Sequence, residues 1–320
     1  MSFEDLVASI PEVGVDWHKD RLIENTLTCI ENSDKWPLGP SISDIEQSTG
    51  KCLIISAGPS LFRQKSLTKL NGYKGTIVAV DGAYIQCLKA GIYPDFVISI
   101  DPHPTRIVRW FGDPDLEENM KGDDYFERQD LDIGFREDAI QTNKDNIKLV
   151  DDCNTKLVIA CSAPQNVVKR TFHMKRYWFA ALVDDPETDG LTRQMVDMTG
   201  LPAMNTGGTA GNTGWVFAHS VLKSTDIACV GMDYGYYPDT PYEQTQSWNL
   251  LKDKENIKQY FPHRAGYWGV GYTDPTYAWY KENLCDLMKN NDGRITNCSE
   301  GGFLTGFRVA YKRLDQWLES

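Results

Sequence analysis

The chain has 320 residues, of which 41% are hydrophobic and 24% are charged, as expected for one large globular domain or two modest ones. Its net charge is −12, so it lacks the basic surplus of a general nucleic-acid binder. No apolar run approaches the roughly 18 residues of a membrane span and the N-terminus has no signal-peptide pattern, so we expect a cytoplasmic protein.

Residues 1–48 are predicted to form a helical N-terminal extension. Apolar residues recur at helical spacing from Leu22 to Ile30, and a segment rich in Pro, Gly and Ser follows from Pro37 to Ser43.

Residues 49–235 alternate between strand and helix patterns. Apolar runs such as KCLIISA, TIVAV and DFVISID are separated by helical or turn-rich segments, a pattern typical of a parallel sheet covered on both faces. We therefore predict an α/β, Rossmann-like core with a mostly parallel sheet and helices on both faces. The acidic segment at 113–138 is predicted to be a solvated loop or exposed helix.

Residues 236–320 are predicted to form an aromatic-rich loop followed by C-terminal helices that complete the site. Tyr and Trp are concentrated from Tyr234 to Tyr280. Long loops of this kind are often lids, but large aromatic residues also form cores beneath loops, and the sequence leaves both alternatives open.

The turn after the first strand, SAGPS, is poor in side chains. Its residues, Ser56, Ala57, Gly58, Pro59 and Ser60, would let ligand atoms approach backbone N–H groups at the carboxyl end of a parallel strand. The turn matches neither GxGxxG nor a P-loop, and taken alone it also fits an ordinary tight turn.

Three acids directly follow apolar strands: Asp81 in VAVD, Asp101 in ISID and Asp233 in VGMD. Parallel strands bring such positions to one edge of the sheet, so we expect the acids near the SAGPS turn. A carboxylate there can bind a ribose hydroxyl, hold a magnesium ion or act as a base. Asp81 and Asp101 also precede helical patterns, so the alternative role for each is that of a helix cap.

A second turn rich in glycine precedes a helical pattern and is a candidate phosphate site. Its residues are Asn205, Thr206, Gly207, Gly208 and Thr209. The glycines free the backbone for close approach, and the N-terminus of the helix favours an anion.

Histidines supply the remaining candidates for acid/base chemistry. His103 lies two residues after Asp101, and His263 lies in the aromatic segment, although lone histidines are usually structural. No two histidines have metal-ligand spacing and the eight cysteines form no CxxC pair, so we expect neither a metal site nor a disulfide framework.

The chain resembles the domain shared by 6-hydroxymethylpterin diphosphokinase MptE-like proteins and motility-associated factor (Maf) proteins. The resemblance rests on GPSL, AVDGA, GIYPDFVISIDP, TGGTAGN and VGMD, which occur in this order between about residues 50 and 235. ITNCSEGGFLTG, at 295–306, resembles the family's ending. Maf proteins are regarded as glycosyltransferases of nonulosonic sugars and are distantly similar to bacterial sialyltransferases.

The resemblance implies a nucleotide-dependent transferase, with a Maf-like glycosyltransferase as the leading hypothesis. A nucleotide-activated sugar of the CMP-nonulosonate type would be bound by the two turns with Asp81 and Asp233. Asp101, with His103 or His263, would activate a hydroxyl of a glycan or protein acceptor. This reaction requires no cofactor.

Two alternatives remain. The first is 6-hydroxymethyl-7,8-dihydropterin diphosphokinase activity, which uses ATP and Mg²⁺ and would favour an Asp-x-Asp pair; the third strand here ends in the single acid of SIDPH. The second is a non-catalytic protein that binds a nucleotide or sugar.

Overall fold

The computed structural model describes residues 2–33, 38–121 and 133–320, so the predicted linker at 37–43 and the acidic segment at 113–138 fall partly outside them. The strands are β1 (Lys51–Ile55), β2 (Thr76–Val80), β3 (Phe96–Ser99), β4 (Lys156–Ala160), β5 (Arg176–Leu182), β6 (Ala203–Asn205), β7 (Asp226–Val230), β8 (His263–Gly266), β9 (Gly269–Tyr272), β10 (Ile295–Asn297) and β11 (Val309–Tyr311). The helices are α1 (Phe3–Glu31), α2 (Ser60–Arg63), α3 (Asp81–Lys89), α4 (Leu116–Asn119), α5 (Ile133–Asp151), α6 (Gln165–Arg170), α7 (Leu191–Thr199), α8 (Ala210–Val216), α9 (Trp248–Leu251), α10 (Pro275–Asn290) and α11 (Leu314–Glu319).

One parallel sheet of nine strands organises the described residues, in the order β11-β10-β7-β1-β2-β3-β4-β5-β6. In the middle of it, Leu53 of β1 lies in register with Ile77 of β2 on one side and Ala228 of β7 on the other. The predicted α/β, Rossmann-like fold with a mostly parallel sheet is therefore confirmed.

The sheet is buried on both faces, which explains why its strands are continuous apolar runs. Along β1, Cys52 and Ile54 belong to one hydrophobic cluster, whereas Leu53 and Ile55 belong to a second. All four side chains are fully buried. Neither face of β1 is available to solvent, so a ligand can reach this strand only at its ends.

The strand order reverses at β1. Strands β2 to β6 follow one another on one side of β1, and the chain then returns to place β7, β10 and β11 on the other side. In open α/β sheets, the crevice at the carboxyl ends of the strands beside such a reversal is the usual place for a ligand.

The C-terminal part of the chain contributes to the same sheet through β10 and β11, so the sheet runs across residue 235. Part of the aromatic segment is packed as a core: Tyr260, Phe261 and Tyr272 are buried in one cluster with Leu6 of α1. The division into units at 235 stays a prediction.

The predicted N-terminal helix is confirmed as α1, which is tied to the body of the protein along its length. It begins with a capping box in which the N–H of Ser2 donates to the Asp5 carboxylate and the N–H of Asp5 donates to the Ser2 hydroxyl. Farther along, Leu22 and Cys29 are buried in the main core. Among the described residues, no helix has both the length and the apolar character needed to cross a bilayer.

Because β1 is buried on both faces, a Leu→Ala truncation should lower the stability far more in this strand than at an exposed position. Leu53→Ala should reduce the free energy of unfolding by about 2–5 kcal/mol, because it leaves a cavity in a closed core. Leu27→Ala, at a side chain that is 44% exposed on α1, should change it by less than about 1 kcal/mol. Urea unfolding measures both, and equal losses would contradict this description of the core.

Candidate functional site

The SAGPS turn is held against the turn that follows β7. The N–H of Ser56 donates to the carbonyl of Val230, and the N–H of Gly58 donates to that of Gly231 at 2.8 Å. A Cβ at Gly58 would collide with the Gly231 carbonyl oxygen and lie 2.9 Å from the Asp233 carboxyl group. The bare backbone at Gly58 is therefore required by the protein's own packing, whether or not a ligand also approaches.

Asp233 connects these two turns through hydrogen bonds. Its carboxylate accepts hydrogen bonds from the N–H of Ser60 at 2.7 Å and from the Ser60 hydroxyl at 2.5 Å. Burial raises the pKa of Asp233 to about 6, although both hydrogen bonds oppose that shift. The structure thus gives Asp233 a structural partner, and its predicted contact with a nucleotide stays a prediction.

Asp81 begins α3 at the carboxyl end of β2 and is buried. One carboxylate oxygen accepts the Gly82 N–H at 2.7 Å, and the other accepts the Ser99 hydroxyl at 3.0 Å. Burial raises the pKa of Asp81 to about 7, and the negative charge of Asp101 contributes to the rise. The structure therefore brings these two predicted acids within electrostatic range of each other.

Asp101 is half-buried just beyond β3 and shapes its own loop. Its carboxylate accepts the His103 N–H at 2.8 Å, and the Nδ1 atom of His103 lies 3.3 Å from the hydroxyl of Thr105. His263 is elsewhere: it is exposed at the start of β8, and its ring lies 5.5 Å from that of Tyr272. The described contacts do not bring His263 to Asp101.

The glycine-rich turn at 205–209 lies on the same side of the sheet as the SAGPS turn. The N–H of Gly207 donates to the Asn205 side chain at 2.8 Å, and both Gly207 and Gly208 have positive φ angles. A Cβ at Gly208 would collide with the ring of Trp279 on α10, so this glycine also serves internal packing.

Ser56 marks the place where the two predicted turns come together. Its hydroxyl oxygen lies 3.1 Å from the position that a Cβ of Gly211 would take, at the start of α8. This oxygen is buried and has no hydrogen-bond partner among the described residues. The Cβ atom of Ala57 lies 3.3 Å from the position that a Cβ of Gly82, after β2, would take. Turns from β1, β2 and β6 therefore converge, as expected for the carboxyl edge of a parallel sheet.

The predicted sites did not include a stripe of polar residues on α1. His18, Arg21 and Asn25 are spaced by three and four residues and so share one side of the helix. The side-chain amide of Asn25 donates to the carbonyls of Pro102 and Ser162, each at 2.9 Å, which fixes α1 across the loops after β3 and β4.

Charged residues of the site influence the pKa of His18. Burial lowers the pKa of its imidazole, the charges of Arg21 and Arg106 lower it further, and the negative charge of Asp101 opposes them. The only signal of this stripe in the sequence is the spacing of polar residues within an otherwise apolar helical pattern, which does not reveal what the stripe faces.

The acids of the site do not form a cage for a metal ion. Both oxygens of Asp81 already accept hydrogen bonds, and so does one oxygen of Asp101. Within the described ranges, no group of three or more His, Cys, Asp or Glu side chains is arranged to hold a metal. Asp81 and Asp101 thus have hydrogen-bond partners within the protein, and the expectation that the reaction requires no metal stays a prediction.

Comparisons with known proteins give a family match over part of the chain, a partial relative and a similar fold. Residues 27–112, which include the end of α1, the SAGPS turn, Asp81 and Asp101, match the family model described as 6-hydroxymethylpterin diphosphokinase MptE-like. An uncharacterized protein of Treponema pallidum (strain Nichols) is 40% identical over 65 residues, which cover 20% of this chain and 30% of that protein.

Part of the solved structure of the Maf glycosyltransferase from Magnetospirillum magneticum AMB-1 has a fold similar to that of this chain. The TM-score is 0.58 and the sequence identity is 14%, over 93% of this chain and 38% of the Maf chain. The resemblance to MptE-like and Maf proteins is confirmed, in sequence over 27–112 and in fold over nearly the whole chain. The chain spans well under half of that Maf protein.

Because the pKa of Asp81 is raised, substitution of this residue is predicted to increase stability relative to the wild type as the pH rises. The pKa rises from 3.8 to about 7 on folding, so the stability that Asp81 contributes is fully present below about pH 4 and is lost as the pH rises through 7. Asp81→Asn keeps a hydrogen-bond acceptor but does not titrate. Its stability relative to the wild type should increase between pH 4.5 and pH 8 by at least about 1 kcal/mol.

Urea midpoints at both pH values measure this difference. Asp197→Asn is the matched control, because Asp197 is exposed on α7 and pairs with Arg193. Its stability difference from the wild type should stay nearly constant, and the same constancy for Asp81→Asn would contradict a buried, neutralised Asp81.

Proposed function

We propose that this chain is a nucleotide-dependent transferase that moves a sugar from a nucleotide-activated donor of the CMP-nonulosonate type to a hydroxyl group of a glycan or protein. The observation that carries the proposal is the convergence of turns at the strand-order reversal. Ser56 faces the start of α8, Ala57 faces Gly82, and Asp81 lies in the electrostatic field of Asp101.

The nucleotide would lie across the carboxyl ends of β1, β2 and β3. The buried Ser56 hydroxyl has no partner among the described residues and is available to a phosphate or ribose oxygen. The backbone of the turn at 205–209 adds N–H donors, and a single phosphate can be neutralised by such donors without a metal. Asp101, which is half-buried, would take part in acid/base catalysis on the side of the site that binds the acceptor hydroxyl.

The Maf glycosyltransferase supports the sugar-transfer reaction through its shared fold, and the MptE-like match at 27–112 favours the second candidate, pterin diphosphokinase activity. The sequence favours sugar transfer, because the third strand ends in the single acid of SIDPH and lacks the Asp-x-Asp pair expected to hold the Mg²⁺ of phosphoryl transfer from ATP. A protein that binds a nucleotide or sugar without catalysis would keep the turns but show no turnover.

Ligand binding and donor turnover test the proposal. CMP and CDP should give calorimetric heats, CMP should be released from CMP-N-acetylneuraminate, and ATP with Mg²⁺ and 6-hydroxymethyl-7,8-dihydropterin should yield no AMP. Binding of ATP with Mg²⁺ but not CMP, together with AMP release, would replace the proposal with the diphosphokinase. Binding of CMP without turnover of either substrate would indicate a binding protein.

Asp101→Asn should separate catalysis from binding. We expect CMP release to fall at least about 100-fold, as for loss of a group in acid/base catalysis, while the Kd for CMP changes little. Asp197→Asn is again the control and should leave both quantities unchanged. An Asp101→Asn variant with normal turnover would remove Asp101 from the mechanism.

A further inference from the structure

Two polar atoms of α1 are buried at the candidate site without a hydrogen-bond partner. They are Nδ1 of His18 and Nη1 of Arg21, and neither has a partner among the described residues. A buried polar group left unpaired typically costs about 1–3 kcal/mol, and such groups in native proteins require an explanation. Two of them three residues apart on one helix suggest that a ligand supplies the missing partners.

The direction of α1 places these atoms at the acceptor side of the site. Asn25, on the same side of the helix, is anchored to the carbonyl of Pro102 directly after Asp101. His18 lies seven residues earlier, which is about 10 Å along the helix axis. Toward its N-terminus, α1 packs through Leu6 against the aromatic cluster of Tyr260, Phe261 and Tyr272. The two unpartnered atoms therefore lie between the β3 loop and the aromatic segment.

The charged groups around His18 suit a base. The imidazole is acted on by Asp101, Arg21 and Arg106, and with burial as the largest cause its pKa lies below the ordinary value of 6.5. The ring is then neutral at pH 7 and can accept a proton. Once the ring is protonated, the Asp101 carboxylate stabilises the imidazolium, in the manner of the carboxylate that supports a catalytic histidine.

The other two candidate histidines are less suited to this task. Nδ1 of His103 lies 3.3 Å from the hydroxyl of Thr105, and His263 is exposed on the hairpin formed by β8 and β9. His18 combines a buried acceptor atom without a partner and proximity to Asp101.

We propose that α1 completes the transferase site: Nδ1 of His18 takes the proton of the acceptor hydroxyl, and Arg21 binds an acidic group of the sugar donor. The inference rests on the proposed sugar transfer and assigns residues to it. The acceptor oxygen forms a bond to the anomeric carbon, the bond from that carbon to the phosphate oxygen breaks, and the nucleoside monophosphate leaves with the electron pair. The hydroxyl proton moves to His18, so charge and atoms balance.

A pH profile tests the role of His18. For the wild type, kcat/KM for transfer from CMP-N-acetylneuraminate to an oligosaccharide acceptor should fall on the acidic side with an apparent pKa below about 6.5, as the imidazole becomes protonated. His18→Gln should reduce kcat about 100-fold or more, leave the KM for the donor within about 3-fold, and abolish that acidic limb.

His219→Gln is the matched control. The Nε2 atom of His219 contacts the Asn291 carbonyl at 3.2 Å, and its ring stacks on Trp215. The His219→Gln variant should therefore retain the activity and the acidic limb of the pH profile. Thermal unfolding separates a structural role from a catalytic one: because Nδ1 of His18 has no partner to lose, His18→Gln should keep its Tm within a few degrees. If that variant does not fold, the wild-type profile still decides, since a flat rate from pH 5 to 7 would overturn the role of His18.

Arg21 is tested by binding. Arg21→Gln should weaken binding of the whole donor at least about 10-fold, whereas Arg193→Gln, at an exposed arginine of α7, should have no effect. Calorimetry with CMP alone and with free N-acetylneuraminate identifies the acidic group: weaker binding of the first assigns Arg21 to the phosphate, and weaker binding of the second assigns it to the sugar carboxylate. Unchanged binding of the donor and of both fragments would overturn the role of Arg21.

Failure of this inference is distinguishable from failure of the proposed function. If the wild type neither binds CMP nor releases it from the donor, the proposed sugar transfer is wrong and the inference falls with it. If the wild type turns over the donor while His18→Gln does so at a normal rate with the acidic limb intact, only the inference is wrong.

Discussion

The parallel pairing of β1 with both β2 and β7 is the constraint on which the rest of the structure depends. It fixes the order of the other strands and makes β1 the point of reversal. Since the side chains from Cys52 to Ile55 are fully buried on both faces, the strand can present only its carboxyl end to a ligand. Ligand contacts at β1 are therefore confined to the turn that follows it, and what this turn can do is decided by the turns beside it.

Two of these turns bury carboxylates for different reasons. Asp233 closes the gap between β1 and β7 by accepting both hydrogen bonds from Ser60, and its position excludes a side chain at Gly58. Asp81 is held by Gly82 and Ser99 and lies near another acid, Asp101. Burying a carboxylate is unfavourable unless it is hydrogen-bonded or protonated, and burial raises the pKa of both. The acid left half-buried, Asp101, is the one suited to exchange protons with a substrate.

The sequence predicts the sheet well because strands buried on both faces leave continuous apolar runs, as in CLII of β1. It also predicts the convergence of Asp81 with Asp101, because parallel strands end at a common edge. It predicts less well what approaches a bare turn: a ligand and a neighbouring strand both require glycine, and at Gly58 the carboxyl group of Asp233 is the neighbour. That contact joins residues 175 positions apart, and no local pattern encodes it.

The position of α1 likewise depends on contacts between residues that are far apart in the chain. His18 and Arg21 lie in a segment whose apolar spacing predicts only a helix, and their relation to the site depends on the bonds from Asn25 to two loops far away in the chain. A packed helix normally turns its polar residues outward, because an unpaired buried polar group is unfavourable. Here α1 instead keeps Nδ1 of His18 and Nη1 of Arg21 buried, and the charge of Asp101 acts on the His18 ring. Such a local violation of stable packing is expected where function requires it, since the free energy is recovered when a substrate pairs with the two buried atoms.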